Sequence, residues 1–147
     1  MIAPIDVVSL QITKSVNSES GKQSKSSDTM GMKHMVEFGM YIAKGSINCQ
    51  LAEKTGFTDE DAEKIKQALI TLFENDSSSA RPDGSMEVCR VYWWKHGCKT
   101  PKYSSAKVHR SLHVEPKEGV SKPLSADDYN IYTDKLEGLE PEVYDMI

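Results

Sequence analysis

The 147-residue chain has no apolar run near the ~20 residues that a transmembrane helix requires, and no basic and apolar signal peptide. These absences predict a soluble, cytoplasmic protein without membrane contact. Cysteine is scarce, and the spacing of Cys49, Cys89 and Cys98 fits no disulfide framework, so we expect reduced thiols. Neither GxGxxG nor GxxxxGK[ST] occurs, which leaves nucleotide-dependent chemistry without support, and no cofactor is expected.

Acidic residues are concentrated at the C-terminus. The formal net charge is -4, whereas residues 123–147 hold seven acids and one lysine, a balance of -6, so the preceding 122 residues carry +2. We treat 1–147 as a single domain and 115–147 as its acidic C-terminal extension. A low total charge therefore permits a local anion-binding surface, but argues against a protein that coats nucleic acid on every side.

The N-terminal part predicts an antiparallel hairpin with a long arm. Val8, Leu10 and Ile12 alternate with polar residues, which is the period of a half-buried strand. Residues 17–29 are polar throughout and are typical of a mobile loop. Alternation then resumes, and a second strand is predicted with one face formed by Val36, Phe38, Met40 and Ile42.

Helix signals follow the hairpin. A helical turn is predicted over Asn48–Lys54, closed by Gly56, and a longer helix begins after the N-cap Thr58. Glu60 and Lys64 are spaced to pair on its exposed face. The predicted buried stripe of this helix consists of Ala62, Ile65, Ala68, Leu69, Leu72 and Phe73.

The remaining segments predict mainly strands. A turn is expected at Arg81–Gly84, a well-covered strand over Met86–Trp94 and an alternating strand over Ala106–Val114. The tail predicts a capped turn at Ser125–Tyr129 and short strands around Ile131 and Val143. The fold class is α+β: the second half of a ferredoxin-like or RNA-recognition-motif palm, with the hairpin arm and extra C-terminal strands added.

Metal and catalytic sites are not predicted. Cys89, Cys98, His109 and His113 resemble the ligand set of a zinc finger, but eight residues separate the cysteines. On a strand the two histidines would lie about 13 Å apart, too far to share an ion. His34 follows the Ser24–Ser27 cluster, but a polar loop cannot hold a nucleophile in productive geometry. Lys33 and His34 as acid and base in RNA cleavage remain an alternative.

The arm and its stems carry cations. They are Lys14, Lys22, Lys25, Lys33 and His34, with Asp6, Glu19 and Asp28 nearby. By charge alone, a solvated loop without RNA contact is as well supported as an RNA-binding arm. Single-strand binders combine such cations with an apolar group against the bases, and Met30, Met32 and Met35 around Gly31 are suited to that role. Alternatively, Met35 packs beneath the hairpin.

Long segments of the chain resemble one known family. They are DTMGMKH, GMYIAKGSIN, LAEKTGFTDEDAEKI, ALITLFENDSSSARPDGSMEV and YSSAKVHRSL, with IDVVSLQITKSVNS upstream. These resemble the C-terminal half of the backbone subunit of the type I-C CRISPR Cascade, a guide-RNA-binding filament subunit of the RAMP superfamily. The similarity covers residues 4–114 and continues more loosely through the acidic tail.

The resemblance implies a binding role without catalysis. Residues 15–35 match the family's thumb, a hairpin that kinks the guide RNA, and protein contacts with the guide are mainly to its backbone. The residues expected to bind RNA are Lys14, Lys22, Lys25, Gly31, Met32, Lys33 and His34. The implied partners are single-stranded guide RNA, other Cascade subunits and, indirectly, target DNA.

The resemblance also implies that a first βα unit of the palm is missing. A palm without it exposes apolar sheet surface and an open edge, so we expect a homo-oligomer or a domain-swapped assembly. The alternative function is a protein–protein adaptor, or small-subunit-like piece of the same complex, with little RNA contact. A metal-independent RNase is the third function class.

Overall fold

The computed structural model describes residues 5–12, 29–78 and 80–147, with side chains from residue 36 onward. Its helices and strands are β1 (Ile5–Ile12), β2 (Thr29–Val36), α1 (Cys49–Thr55), α2 (Asp59–Ile70), β3 (Arg90–Trp93), α3 (Ser105–Ser111), β4 (Leu112–Pro116), β5 (Tyr129–Thr133) and β6 (Glu142–Asp145). The mixture of helices and antiparallel strands confirms the α+β class.

The chain divides into two compact units, one of which contains residues 1–41 and 118–128. Its main element is an antiparallel hairpin of β1 and β2, in which Ile5 is opposite Val36 and Ile12 is opposite Thr29. Lys122 also forms an ion pair with Glu37 in this unit. The hairpin confirms the predicted antiparallel pairing. Whether the two units make one domain stays a prediction.

The other unit contains residues 42–117 and 129–147 and holds two further strand pairs. β3 pairs with β6, and β4 pairs with β5, both antiparallel. Across the described residues the strands therefore form three two-stranded sheets. The ferredoxin-like palm stays a prediction.

Local capping signals explain where α1 and α2 begin. The side chain of Asn48 accepts hydrogen bonds from the amides of Gln50 and Leu51, and Gly56 closes α1 at a φ of 75°. At α2, Thr58 and Asp61 form a reciprocal capping box. These observations confirm the predicted helix starts and the glycine stop.

The predicted buried stripe of α2 is wrong. The buried residue of this helix is Lys66, whereas Ile65, Leu69 and Leu72 are 40%, 37% and 50% exposed. The Lys66 ammonium lies 2.8 Å from Glu142 of β6, and 5.9 and 5.5 Å from the ring centroids of Trp93 and Tyr144. The helix α2 faces the β3–β6 pair through Lys66, so its apolar stripe does not face that pair.

Three predicted strands are also corrected. The second hairpin strand ends at Val36, so the alternating residues up to Ile42 lie outside it, and β3 begins at Arg90 rather than at Met86. The segment predicted as a strand over Ala106–Val114 is α3 followed by β4. Ser104 caps α3 by accepting from the amide of Lys107, which favours a helix where alternation suggested a strand.

The turn at Arg81–Gly84 is confirmed, since the amide of Ser85 bonds to the carbonyl of Pro82. In the tail, a 3-10 turn at Ala126–Asp128 confirms the predicted capped turn, because the carboxylate of Asp128 accepts from the amides of Leu124 and Ser125. Strands β5 and β6 confirm the strands expected around Ile131 and Val143.

The described core is small. Val108, Leu136 and Leu139 are buried together, with Trp94 and Tyr103 packed against them. All three cysteines are free thiols, and burial raises the pKa of Cys89. In the described ranges no helix combines the length and apolarity needed to cross a bilayer.

Candidate nucleic-acid interface

The structure places four of the predicted RNA-binding residues on β2. In the register of the hairpin, Gly31 is opposite Leu10, Met32 opposite Ser9, Lys33 opposite Val8 and His34 opposite Val7. These four residues are consecutive in the sequence and form one segment of the strand. The other three, Lys14, Lys22 and Lys25, lie outside the described residues, as do Ser24–Ser27.

A second cationic feature lies beside α3. It is an open cleft of about 450 Å³, which we call the α3 cleft, and its lining includes Tyr103, Lys107, Arg110, Asp134, Lys135 and Glu137. Lys107 and Arg110 are three positions apart on α3, so their side chains are neighbours on one helix face. The loop after β5 supplies the remaining charged groups.

The core holds α3 in place under the cleft. Val108 and Ser111 are buried on this helix, and the hydroxyl of Ser111 donates to the carbonyl of Val108 at 2.7 Å. The amide of Asp134 donates to the carbonyl of Ser111 at 2.8 Å, which ties the loop after β5 to the end of the helix. The cations of the cleft are therefore mounted on a fixed framework.

Tyr103 organises the lysines at one side of the cleft. Its hydroxyl donates to the carbonyl of Glu137 at 3.0 Å, and its half-buried ring packs against the core. The ammonium groups of Lys107 and Lys102 lie 4.7 and 5.8 Å from the ring centroid, within the range of cation–π attraction. Gly138 lies beside Lys102 with a φ of 71°, a left-handed conformation that favours glycine.

The acids of the cleft only partly offset its cations. Lys107, Arg110 and Lys135 are exposed cations, and Asp134 and Glu137 are the acids of the lining. The carboxylate of Asp134 lies 2.9 Å from Nε2 of His113, whose ring stacks on Tyr132 at 4.8 Å. This contact gives Asp134 a hydrogen-bond partner on β4. The lining of the α3 cleft therefore has three cations against two acids, a formal charge of +1 (3 - 2).

Sequence reasoning missed the α3 cleft. The strand predicted over Ala106–Val114 gave no reason to group Lys107 with Arg110. A signal was present: Ser104 is a strong N-cap, and Lys107 and Arg110 follow it at helical spacing. The contribution of Lys135 could not be found in this way, because it depends on the pairing of β4 with β5.

The zinc-finger residues are not assembled into a site. Nε2 of His109 lies 3.0 Å from the carbonyl oxygen of Gly45, and His113 contacts Asp134. Among the described residues there is no group of three or more histidine, cysteine or acidic side chains able to hold a metal ion. The strand geometry used to separate His109 from His113 was wrong, because they lie on α3 and β4.

The described residues thus contain a hairpin strand that carries Lys33 and His34, and a cleft lined by Lys107, Arg110 and Lys135. A family model described as CRISPR-associated protein Cas7 matches residues 1–134. The chain belongs to the Cas7 family. No curated protein matches it closely enough to count as a relative. The resemblance seen in the sequence is therefore confirmed at the level of the family, whereas subtype I-C and the C-terminal half stay predictions.

Proposed function

We propose that this chain is a non-enzymatic guide-RNA-binding backbone subunit, or its C-terminal half, in a type I-C CRISPR interference complex. The family match over residues 1–134 carries the proposal. The resemblance of DTMGMKH and YSSAKVHRSL to the type I-C backbone subunit supports the subtype, and the resemblance as a whole supports an RNA-recognition-type palm.

The β1–β2 hairpin supports the proposed RNA contact. By their similarity to the family, residues 15–35 form the thumb, and β2 contributes Thr29–Met35 as its returning stem. Lys33 on this stem, together with Lys14, Lys22, Lys25 and His34, supplies cations to the phosphates, while Gly31 and Met32 lie against the chain of bases. Contacts of this kind follow the backbone of a single strand and do not read its sequence.

Salt-dependent binding tests the arm. We expect the full chain to bind a short single-stranded RNA in fluorescence anisotropy, with an affinity that falls as salt rises. Each phosphate contact adds about -0.7 to the slope of log K against log salt, so Lys14→Ala/Lys33→Ala is expected to flatten the slope by about 1.4. The matched control, Lys54→Ala/Lys64→Ala, removes two exposed lysines from α1 and α2. Equal slopes for the arm variant and wild type would overturn the assignment.

Assembly with other subunits is the second part of the proposal. Ile65, Leu69 and Leu72 expose an apolar stripe along and just beyond α2, and this surface is suited to a contact with another copy or another subunit. The same stripe favours the alternative function, an adaptor with little RNA contact. Capture of the partner subunits that depends on guide RNA supports the backbone role, and capture without it supports the adaptor.

Absence of catalysis is also part of the proposal. A labelled single-stranded RNA incubated with the chain and no metal ion is expected to remain intact. Cleavage that disappears in Lys33→Ala or His34→Ala would instead establish the metal-independent RNase.

A further inference from the structure

The cations of the α3 cleft have no role in the proposed arm. They lie between 107 and 135 in the sequence, whereas the arm ends at Met35. Lys107 and Arg110 are exposed neighbours on α3, and Val108 and Ser111 of the same helix are buried. Two neighbouring exposed cations suit a ligand with repeated negative charge.

The chemistry of the lining argues against a small apolar ligand. Such sites are lined predominantly by hydrophobic and aromatic side chains. In the α3 cleft most of the lining is charged, and the aromatic residue Tyr103 is half-buried with lysines near its ring. The exposed charged groups are three cations, Lys107, Arg110 and Lys135, and two acids, Asp134 and Glu137. The ammonium and guanidinium donors suit phosphate oxygens.

We infer that the α3 cleft binds the phosphodiester backbone of a single nucleic-acid strand, as a second contact independent of the arm. Lys107, Arg110 and Lys135 donate to phosphate oxygens, and Lys102 adds charge at the side of Tyr103. Asp134 and Glu137 lower the formal charge of the lining to +1 (3 - 2), so we attribute the affinity to contacts with several consecutive phosphates. This inference rests on the proposed RNA-binding function and extends it to a new surface.

The test compares salt slopes for the full chain. Lys107→Ala/Arg110→Ala is expected to flatten the slope of log K against log salt by about 1.4 with a short oligouridylate, since two phosphate contacts are lost. Arg110→Ala/Lys135→Ala provides a second variant in case the first one unfolds, and circular dichroism checks both. Lys54→Ala/Lys64→Ala, which also removes two lysine charges, is expected to change the slope by less than about 0.3.

Comparison of an RNA with a DNA oligonucleotide distinguishes the two possible sources of the phosphates. An equal flattening with oligouridylate and oligodeoxythymidylate supports recognition of the shared phosphodiester, and flattening with RNA alone supports the guide as the ligand. Replacing uridine by adenosine is expected to leave the effect of the variants unchanged, because no base readout is involved.

The outcomes distinguish this inference from the proposed function. If both cleft variants keep the wild-type slope while Lys14→Ala/Lys33→Ala flattens it, the cleft inference is overturned and the arm stands. If the cleft variants flatten the slope and the arm variant does not, the arm assignment is overturned and the cleft inference stands. A charge-preserving variant, Lys107→Arg/Arg110→Lys, is expected to restore the slope.

Discussion

Lys66 on α2 and Glu142 on β6 form an ion pair at 2.8 Å between residues that are 76 positions apart. The same ammonium lies 2.8 Å from Glu63, and the side chain of Lys66 is only 7% exposed. Hydrogen bonds with Glu142 and then Glu63 raise the pKa of Lys66, so it is charged at neutral pH. One cation therefore joins α2 to the β3–β6 pair and keeps two carboxylates together.

Removal of Lys66 is expected to destabilise the chain strongly. In Lys66→Ala, Glu63 and Glu142 lose their shared partner and repel each other. We expect a clearly larger loss in the free energy of unfolding, measured in urea, than for Lys64→Ala, whose lysine pairs with Glu60 on the exposed face of the same helix. A double-mutant cycle with Glu142→Gln measures the coupling. Equal losses for Lys66→Ala and Lys64→Ala would show that the pair is not a structural link.

The stability of the chain is expected to fall in acid. Hydrogen bonds with Lys66 lower the pKa of Glu142 and Glu63, and the hydrogen bond with Arg90 lowers the pKa of Asp145. Carboxylates with a lowered folded-state pKa stabilise the fold above their unfolded pKa of about 4, and this contribution is lost as the pH falls through the folded-state value.

The measurement is thermal unfolding at a series of pH values. The difference in Tm between wild type and Glu142→Gln is expected to be largest near neutral pH and to shrink below about pH 4. Glu140→Gln, an exposed acid on the same segment, is the control. A difference that stays constant down to acidic pH would contradict the assigned role of Glu142.

The capping box of α2 predicts that substitutions of Thr58 lower the free energy of unfolding by different amounts. Its hydroxyl accepts from the amide of Asp61 at 3.2 Å, and Thr58 returns hydrogen bonds to the carboxylate of Asp61, which lower the pKa of that group. Thr58→Ala is expected to cost about 1 kcal/mol in the free energy of unfolding, and Thr58→Ser much less. If alanine and serine cost the same, the hydroxyl contributes nothing to the cap.

The small core predicts a contrast between two leucines. Leu139 is 5% exposed and packs with Val108 and Leu136, whereas Leu51 is 59% exposed on α1. Leu139→Ala is expected to cost about 2–4 kcal/mol, because it leaves a cavity beneath Tyr103, and Leu51→Ala less than about 1 kcal/mol. Similar losses at both positions in urea denaturation would mean that the core has been wrongly located.

The sequence allowed the local features to be predicted with success. The starts of α1 and α2, the Glu60–Lys64 pair and the turn before Ser85 all depend on groups that are one to four residues apart. Predictions based on alternation succeeded less often. The segment over Ala106–Val114 alternates, yet it forms α3 and β4, because the cap at Ser104 and the burial of Val108 and Ser111 favour a helix.

The residues of the candidate interface also include some that were predicted from the sequence and some that only the tertiary structure brings together. The arm residues were predicted from composition and from resemblance. Gly31–His34 are consecutive residues of β2, and their part in RNA binding stays a prediction. The α3 cleft could not be predicted as a unit, because Lys135 reaches α3 only through the pairing of β4 and β5 and through the bond between Asp134 and Ser111.

By itself, the sequence determined the α+β class, the membership of the Cas7 family and the helix caps. The caps are short-range hydrogen bonds whose partners are set by the order of residues. Tertiary structure alone decided that Lys66 is buried while Ile65 and Leu69 are exposed, and that Lys107, Arg110 and Lys135 line one cleft. Burial and charge clustering depend on which distant segments pack together, and the residues next in sequence do not specify that packing.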